Sequence, residues 1–226
     1  MKKINLKKQY DEFSEEFSRI CFEQNKPSRK LFYKILGKDI KGKKLLDLAC
    51  GDGKDLHHYA KLGSDVFGID MSREFIEMAK KTNPKFHQNI FVADFENTKH
   101  AKGKFDIITC KYAAQTSKNI EKIFFEAYRL LKTDGEFLIL VVHPIRQFIE
   151  KRGKNKDYFK QTVVDSVLFD GAVTVKEPTH TFKEYISASI LKKFDLVLFD
   201  EKFDSSAEQI DRDIYPGFMV MKFKKR

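Results

Sequence analysis

Along most of this chain, short apolar runs alternate with stretches whose apolar residues recur every three or four positions. That alternation predicts strands and helices in turn. The opening segment, 6–24, sets Tyr10, Phe13, Phe17, Ile20 and Cys21 at helical spacing, with Asp11, Glu12, Glu15 and Glu16 opposite. Pro27 and Ser28 start a second helix through Leu31, Phe32, Ile35 and Leu36, which Gly37 stops. The first strand is expected at 43–48. A turn with Gly51 and Gly53 follows, then a helix carrying Leu56, Tyr59 and Ala60 as far as Gly63. A second strand, 65–70, leads to Ser72, which can cap a helix bearing Phe75, Ile76, Met78 and Ala79 and ending before Pro84. Strands three and four are expected at 89–94 and 105–110. A helix over 119–132 buries Ile120, Ile123, Phe124, Ala127, Leu130 and Leu131. Asp134-Gly135 then turns the chain into a fifth strand at 136–142. This last run is apolar without interruption, as in a parallel sheet covered on both faces.

The alternation breaks over about 143–180. That stretch is more polar and holds two short strands, 162–169 and 172–175, around Asp170-Gly171, a hairpin signal. It reads as an insertion, such as a lid, and not as a second domain. Thr181 then caps a helix over 182–193, a sixth strand lies at 196–199, and Pro216-Gly217 precedes a last strand at 218–223. The expected fold is α/β: a doubly wound, mostly parallel seven-stranded sheet with helices on both faces. The 226 residues suit a single domain, 1–226, with an N-terminal helical segment at 1–40.

Composition narrows the function classes. With 34% charged residues and no apolar run near the roughly 18 residues a membrane span needs, no membrane partner is expected. The first eight residues are basic and lack the apolar stretch of a secretion signal. Cys21, Cys50 and Cys110 stand far apart and form no C-x-x-C pair. They read as reduced thiols of a cytoplasmic protein, with no disulfide frame and no metal site. The net charge of +10 comes mostly from lysines spread along the whole chain. A solvated basic surface therefore explains it better than a nucleic-acid interface, which clusters arginine with aromatic residues.

The chemistry concentrates in the turn after the first strand. Glycine is needed where the backbone passes close to a ligand or takes positive φ, and the helix behind the turn offers free N–H groups. A nicotinamide site would carry G-x-G-x-x-G. Here Gly51-Asp52-Gly53 is followed by Leu56 where the third glycine belongs, and Asp52 and Asp55 disfavour a pyrophosphate. No P-loop pattern occurs. Three acids mark strand ends: Asp47 within the first, Asp70 after the second, Asp94 after the third. Such acids can accept from a ribose diol or an adenine amino group.

These residues resemble the class I S-adenosylmethionine-dependent methyltransferases. Asp47-x-Ala49-x-Gly51-x-Gly53 is similar to the family's first motif, with alanine in place of the first glycine. Phe105-Asp106-Ile107-Ile108 and Leu130-Leu131-Lys132-x-x-Gly135-Glu136-Phe137 match its fourth strand and the approach to its fifth. The likeness covers about 40–145, and the tail from 181 to 226 is compatible with it. It implies a Rossmann-like sheet with an antiparallel last strand, and S-adenosylmethionine as cofactor with S-adenosylhomocysteine as product. It places the backbone of Ala49, Cys50, Gly51 and Gly53 against the methionine part. Asp70 would meet the ribose hydroxyls, and Met71 would pack on adenine. Asp94 would accept from the adenine amino group, with Phe95 beside it. Lys111 and Tyr112 would lie where cofactor meets substrate, and Tyr10 on a helix folded over the cofactor.

Methyl transfer from a sulfonium is an in-line displacement in which the protein supplies alignment and, for some acceptors, a base. His143, directly after the fifth strand and before Pro144, is the candidate base, with a hydrogen-bonded structural histidine as the alternative. Tyr112 and Tyr158 are candidates for lining the substrate pocket. Arg146 opens a basic run with Lys151, Arg152, Lys154 and Lys156 that suits either a carboxylate-bearing substrate or solvent. The fourth strand leads into Cys110-Lys111-Tyr112-Ala113 and not into the [N/D/S]-P-P-[Y/F] motif of enzymes that methylate nucleic-acid amino groups. A small-molecule acceptor methylated on O or N is therefore the expected substrate. An RNA methyltransferase and a non-catalytic cofactor-binding protein stand as alternatives.

Overall fold

The computed structural model describes residues 5–151, 153–169, 171–203 and 214–226. Among them, the strands in chain order are β1 Lys44–Leu48, β2 Asp65–Asp70, β3 Ile90–Val92, β4 Phe105–Lys111, β5 Leu131–Val142, β6 Val163–Leu168, β7 Val173–Pro178, β8 Phe194–Lys202 and β9 Phe218–Lys225. The helices are α1 Leu6–Glu12, α2 Ser14–Gln24, α3 Lys26–Leu36, α4 Lys54–Lys61, α5 Arg73–Thr82, α6 Ile120–Leu130, α7 Pro144–Glu150, α8 Phe182–Tyr185 and α9 Ala188–Leu191.

Seven strands form one sheet in the order β3-β2-β1-β4-β5-β9-β8. β1 pairs in parallel with β2 and β4, β2 with β3, and β4 with β5, while β9 runs antiparallel to both β5 and β8. The expected mostly parallel sheet with an antiparallel last strand is therefore present. Period-two alternation sorts each central strand between two cores. Leu46, Leu48, Phe137 and Ile139 pack with α6, α8 and α9 on one face; Leu45, Leu138 and Leu140 pack with α3, α4 and α5 on the other. The first core is aromatic: the ring of Phe124 lies 5.2 Å from Phe137, 5.9 Å from Phe194 and 4.9 Å from Phe223, all edge-on. The strand order reverses between β1 and β4, so the carboxyl ends of these strands open a crevice there.

Element boundaries depart from the sequence expectation where a side chain competes with the helix backbone. The segment expected as one helix over 6–24 breaks at Phe13, and the buried Ser14 hydroxyl donates back to the Asp11 carbonyl. The helix expected over 182–193 splits into α8 and α9. The Ser187 side chain accepts from Ile190 N and starts a new turn. β7 extends to Pro178, beyond the expected end at 175, which brings Glu177 into the hairpin. α7 was not expected; Pro144 occupies its first turn, where a missing N–H costs nothing. Of the Asp170-Gly171 turn, Asp170 lies outside the described residues, as does Arg152 of the basic run. No helix among the described residues is long and apolar enough to cross a membrane.

Candidate active site

The turn after β1 takes a left-handed backbone three times, with φ of +63° at Ala49, +53° at Gly51 and +76° at Gly53. Cys50 N donates to Ile69 O at 2.8 Å, pinning the turn to β2. Gly53 caps α4, and Asn83 Nδ2 donates to both Gly53 O and Ala79 O at 2.9 Å. Gly68 in β2 leaves the space that the Cys50 thiol and Leu56 fill; a Cβ there would lie 2.6 Å from Leu56 Cδ1 and 2.9 Å from Cys50 Sγ. Ala49 holds a conformation that costs an L-residue roughly 1–2 kcal/mol. Ala49→Gly is therefore expected to leave stability unchanged or raise it by up to about 1 kcal/mol in denaturant unfolding, despite the extra chain entropy of glycine. A loss of stability would show that the alanine methyl packs productively.

This turn forms one wall of a cavity with about 910 Å³ of empty space, part of it open to solvent. Ala49, Cys50, Gly51, Asp70, Met71, Phe95, Lys111, Tyr112 and Tyr10 line it, so most of the residues expected around the cofactor stand together. The Asp70 carboxylate is buried and accepts from Gly51 N at 3.0 Å and Ser72 N at 2.9 Å. Burial pushes its pKa up to about 6, and the two backbone donors oppose the rise. Lys111 pairs with Asp55, which also accepts from the Tyr33 hydroxyl. Burial works against the charge of Asp55, but Lys111 and Tyr33 outweigh it and hold the carboxyl below the usual range.

α1 and α2 roof the cavity. Ser18 donates to Asp52 Oδ2 at 2.7 Å, and Lys54 Nζ sits 2.8 Å from the same oxygen while also reaching Ser18 O. The Phe17 ring meets Tyr10 at 5.5 Å and Phe169 at 5.4 Å, joining roof to hairpin. Gln9 completes that junction: its side-chain amide accepts from Lys176 N at 2.8 Å and donates to Lys176 O at 3.3 Å, as a strand neighbour would.

A second cavity of about 690 Å³ adjoins the first and shares Tyr10, Phe17, Cys21 and Tyr112 with it. α7 and the β6–β7 hairpin supply its far side, through Arg146, Val167, Phe169, Val175 and Glu177. Tyr112 stands at the junction with φ of +52°, its N–H bonded to Leu140 O at 2.6 Å. A bulky residue held there marks a strained position where the two cavities meet.

Other expected site residues lie elsewhere. Asp47 is 2% exposed beneath the turn, lines neither cavity, and accepts from the Thr109 hydroxyl at 2.7 Å. Gly53 is turned into the contact with Asn83 and Ala79. Asp94 is exposed and caps Glu96 N at 2.8 Å. His143, the candidate base, lines neither cavity. Its Nδ1 accepts from Ile145 N at 3.0 Å, capping α7, and its Nε2 lies 2.8 Å from Glu201. Burial lowers its pKa against the pull of Glu201. The imidazole thus lies on the scaffold, with Nδ1 capping α7 and Nε2 beside Glu201. Tyr158 accepts from Phe182 N at 2.7 Å and packs on Phe148, away from both cavities. Arg146 reaches the second cavity, but Glu150 holds its Nε at 3.1 Å and Val167 O its Nη2 at 3.4 Å. Lys151 donates to the carbonyls of Asp157 and Lys160, both at 2.6 Å. The basic run therefore offers no free anion receptor at these two residues.

Phe17, Cys21 and Glu177 line the cavities although the sequence did not mark them as site residues. Phe17 and Cys21 carried only the apolar spacing of any buried helix face. Glu177 carried a readable signal: in β7 it shares a face with Val173 and Val175, so a carboxylate interrupts an apolar stripe.

A methyltransferase domain family matches residues 39–185 of this chain. An uncharacterized protein of Methanocaldococcus jannaschii is 27% identical over 96% of this chain and 86% of its own length. A ubiquinone biosynthesis O-methyltransferase of Glaesserella parasuis is 35% identical over 45% of this chain and 46% of its own length. Among solved structures, an S-adenosylmethionine-dependent methyltransferase from Mesorhizobium loti shares the fold with a TM-score of 0.68 and 20% identity, over 89% of this chain and 97% of that one.

Proposed function

We propose that this chain, which belongs to the class I S-adenosylmethionine-dependent methyltransferases, transfers the methyl group to O or N of a small molecule seated in the second cavity. The observation that carries this reading is the lining of that cavity. α1, α2, α7 and the hairpin each turn side chains into it, Tyr10, Phe17, Arg146, Val175 and Glu177 among them, which makes a pocket of small-molecule size. The insertion at 143–180 then belongs to the same domain as the sheet and serves as its acceptor side.

The first cavity suits the cofactor. Asp52 is paired with Lys54 and Asp55 with Lys111, so Asp70 leaves the polar wall with one net negative charge, which favours a sulfonium over a pyrophosphate. Met71, Phe75 and Phe95 offer apolar surface for a purine ring, and Asp70 would accept from the ribose hydroxyls. The cofactor supplies the activated methyl when bound. The chain's own residues orient the acceptor through Tyr10, Phe17 and Tyr112 and exclude water by closing α1 and α2 over the junction.

With methyl-labelled cofactor, label is expected in dialysable small molecules of a cell extract and not in RNA added at low salt. Transfer into RNA, with binding that weakens steeply as salt rises, would overturn the small-molecule assignment.

A further inference from the structure

We infer that the acceptor is an amine, recognised by the Glu177 carboxylate and the Gln115 side-chain carbonyl in the second cavity. This rests on the small-molecule methyltransferase reading and narrows it to nitrogen.

Glu177 is 2% exposed and Gln115 3%, and both line the cavity. Gln147 Nε2 donates to Glu177 Oε1 at 3.2 Å and to Pro178 O at 3.1 Å, and accepts His180 N at 3.0 Å on its own oxygen. That clamp fixes the carboxyl. Gln115 lines the cavity with that carboxyl, and its backbone carbonyl accepts from His180 Nε2 at 3.0 Å. Its side-chain oxygen Oε1 is then buried with no hydrogen-bond partner. A buried acceptor left unpaired is destabilising, and a ligand donor would relieve it. Two residues that line one cavity thus offer acceptors, and together they suit a group with several N–H donors.

Charge points the same way. Among the described residues the cation lining this cavity is Arg146, which Glu150 holds, so when Glu177 is ionised the carboxylates of Glu150 and Glu177 exceed it by one. Burial, and then Glu150, push the Glu177 pKa up to about 8. A ligand ammonium would relieve both effects; a ligand carboxylate would aggravate them. The remaining wall, with Phe17, Val142, Val167, Phe169 and Val175, suits an apolar body. An amine that enters as ammonium must lose one proton before its lone pair is free. That proton passes to the Glu177 carboxylate, leaving a neutral amine and a neutral acid.

The test uses the full chain saturated with S-adenosylhomocysteine and two probes of one shape, phenethylamine and hydrocinnamate, followed by calorimetry. The amine is expected to bind at least about tenfold more tightly, a difference near 1.4 kcal/mol. Glu177→Gln should abolish that preference while homocysteine-cofactor affinity stays at the wild-type value. Should Glu177→Gln fail to fold, Gln115→Met serves, with an expected loss of several-fold for the amine alone. Equal binding, binding of neither probe, or preference for hydrocinnamate would overturn the inference. Failure to bind S-adenosylhomocysteine would instead overturn the cofactor reading beneath it.

Discussion

Gly53→Ala is expected to lower the melting temperature by about 5–15 °C, following a loss of about 2–4 kcal/mol in a chain of this size. Two costs add. The residue sits at φ +76°, where an L-side chain is strained by roughly 1–2 kcal/mol. A Cβ would also lie 2.5 Å from Asn83 Nδ2 and 2.9 Å from Ala79 Cβ, closer than packed atoms come. Relief requires Asn83 to move, which breaks its 2.9 Å bonds to Gly53 O and Ala79 O and lets α4 and α5 separate. Overpacking of this kind costs about 1–3 kcal/mol. Gly51→Ala is the control. Gly51 has φ +53° but nothing within 4 Å of its would-be Cβ, so only the strain remains. Thermal unfolding of both variants decides the matter; equal losses at the two positions would show that packing behind the turn contributes nothing.

Asp70→Ala is expected to weaken S-adenosylhomocysteine binding about a hundredfold by calorimetry, near 2.7 kcal/mol. The exposed Asp65→Ala, at the other end of the same strand, should leave it unchanged. The Asp70 carboxylate both faces the cavity and holds the turn through Gly51 N, so its removal takes away a ligand acceptor and leaves a buried donor unpaired. Comparable losses at Asp65 and Asp70 would refute the placement. The pH dependence carries two opposite signs. The ionised carboxylate is the acceptor, so cofactor affinity should fall as pH drops through about 6. For folding, a carboxyl raised from its usual value of about 3.9 binds its proton more tightly in the native state. Its contribution to stability is therefore full below about 3.9 and is lost as pH rises through about 6. A cofactor affinity flat between pH 5 and 8 would count against an ionised Asp70 as the contact; those limits bracket the group by about one to two units.

The residues legible in advance share a physical basis. The Gly51–Gly53 turn, Asp70 and Phe95 lie within or just beyond strands whose apolar runs announce them, and covalent connectivity carries them to the same edge of the sheet. Lys111 and Tyr112 follow from the end of β4 for the same reason. His143 is expected as a base from its position after β5, while its direction is set by α7, which its own side chain caps. Asp94 and Tyr158 likewise found backbone donors nearby, an outcome that depends on loop paths and not on spacing.

The sequence by itself determined the alternating elements, the mostly parallel sheet, and a turn suited to a sulfonium cofactor, because strand period, glycine freedom and strand-end acids act within a few residues of chain. Only the tertiary structure decided what surrounds the second cavity. Helices from the first 25 residues, a turn near 115 and a hairpin near 175 converge there, and burial and charge at Glu177 arise from that convergence alone. Contacts between segments so far apart leave no local periodicity to read. At Glu177 the one local trace was an acid on an apolar strand face, and only the folded chain brought it to the wall of a cavity.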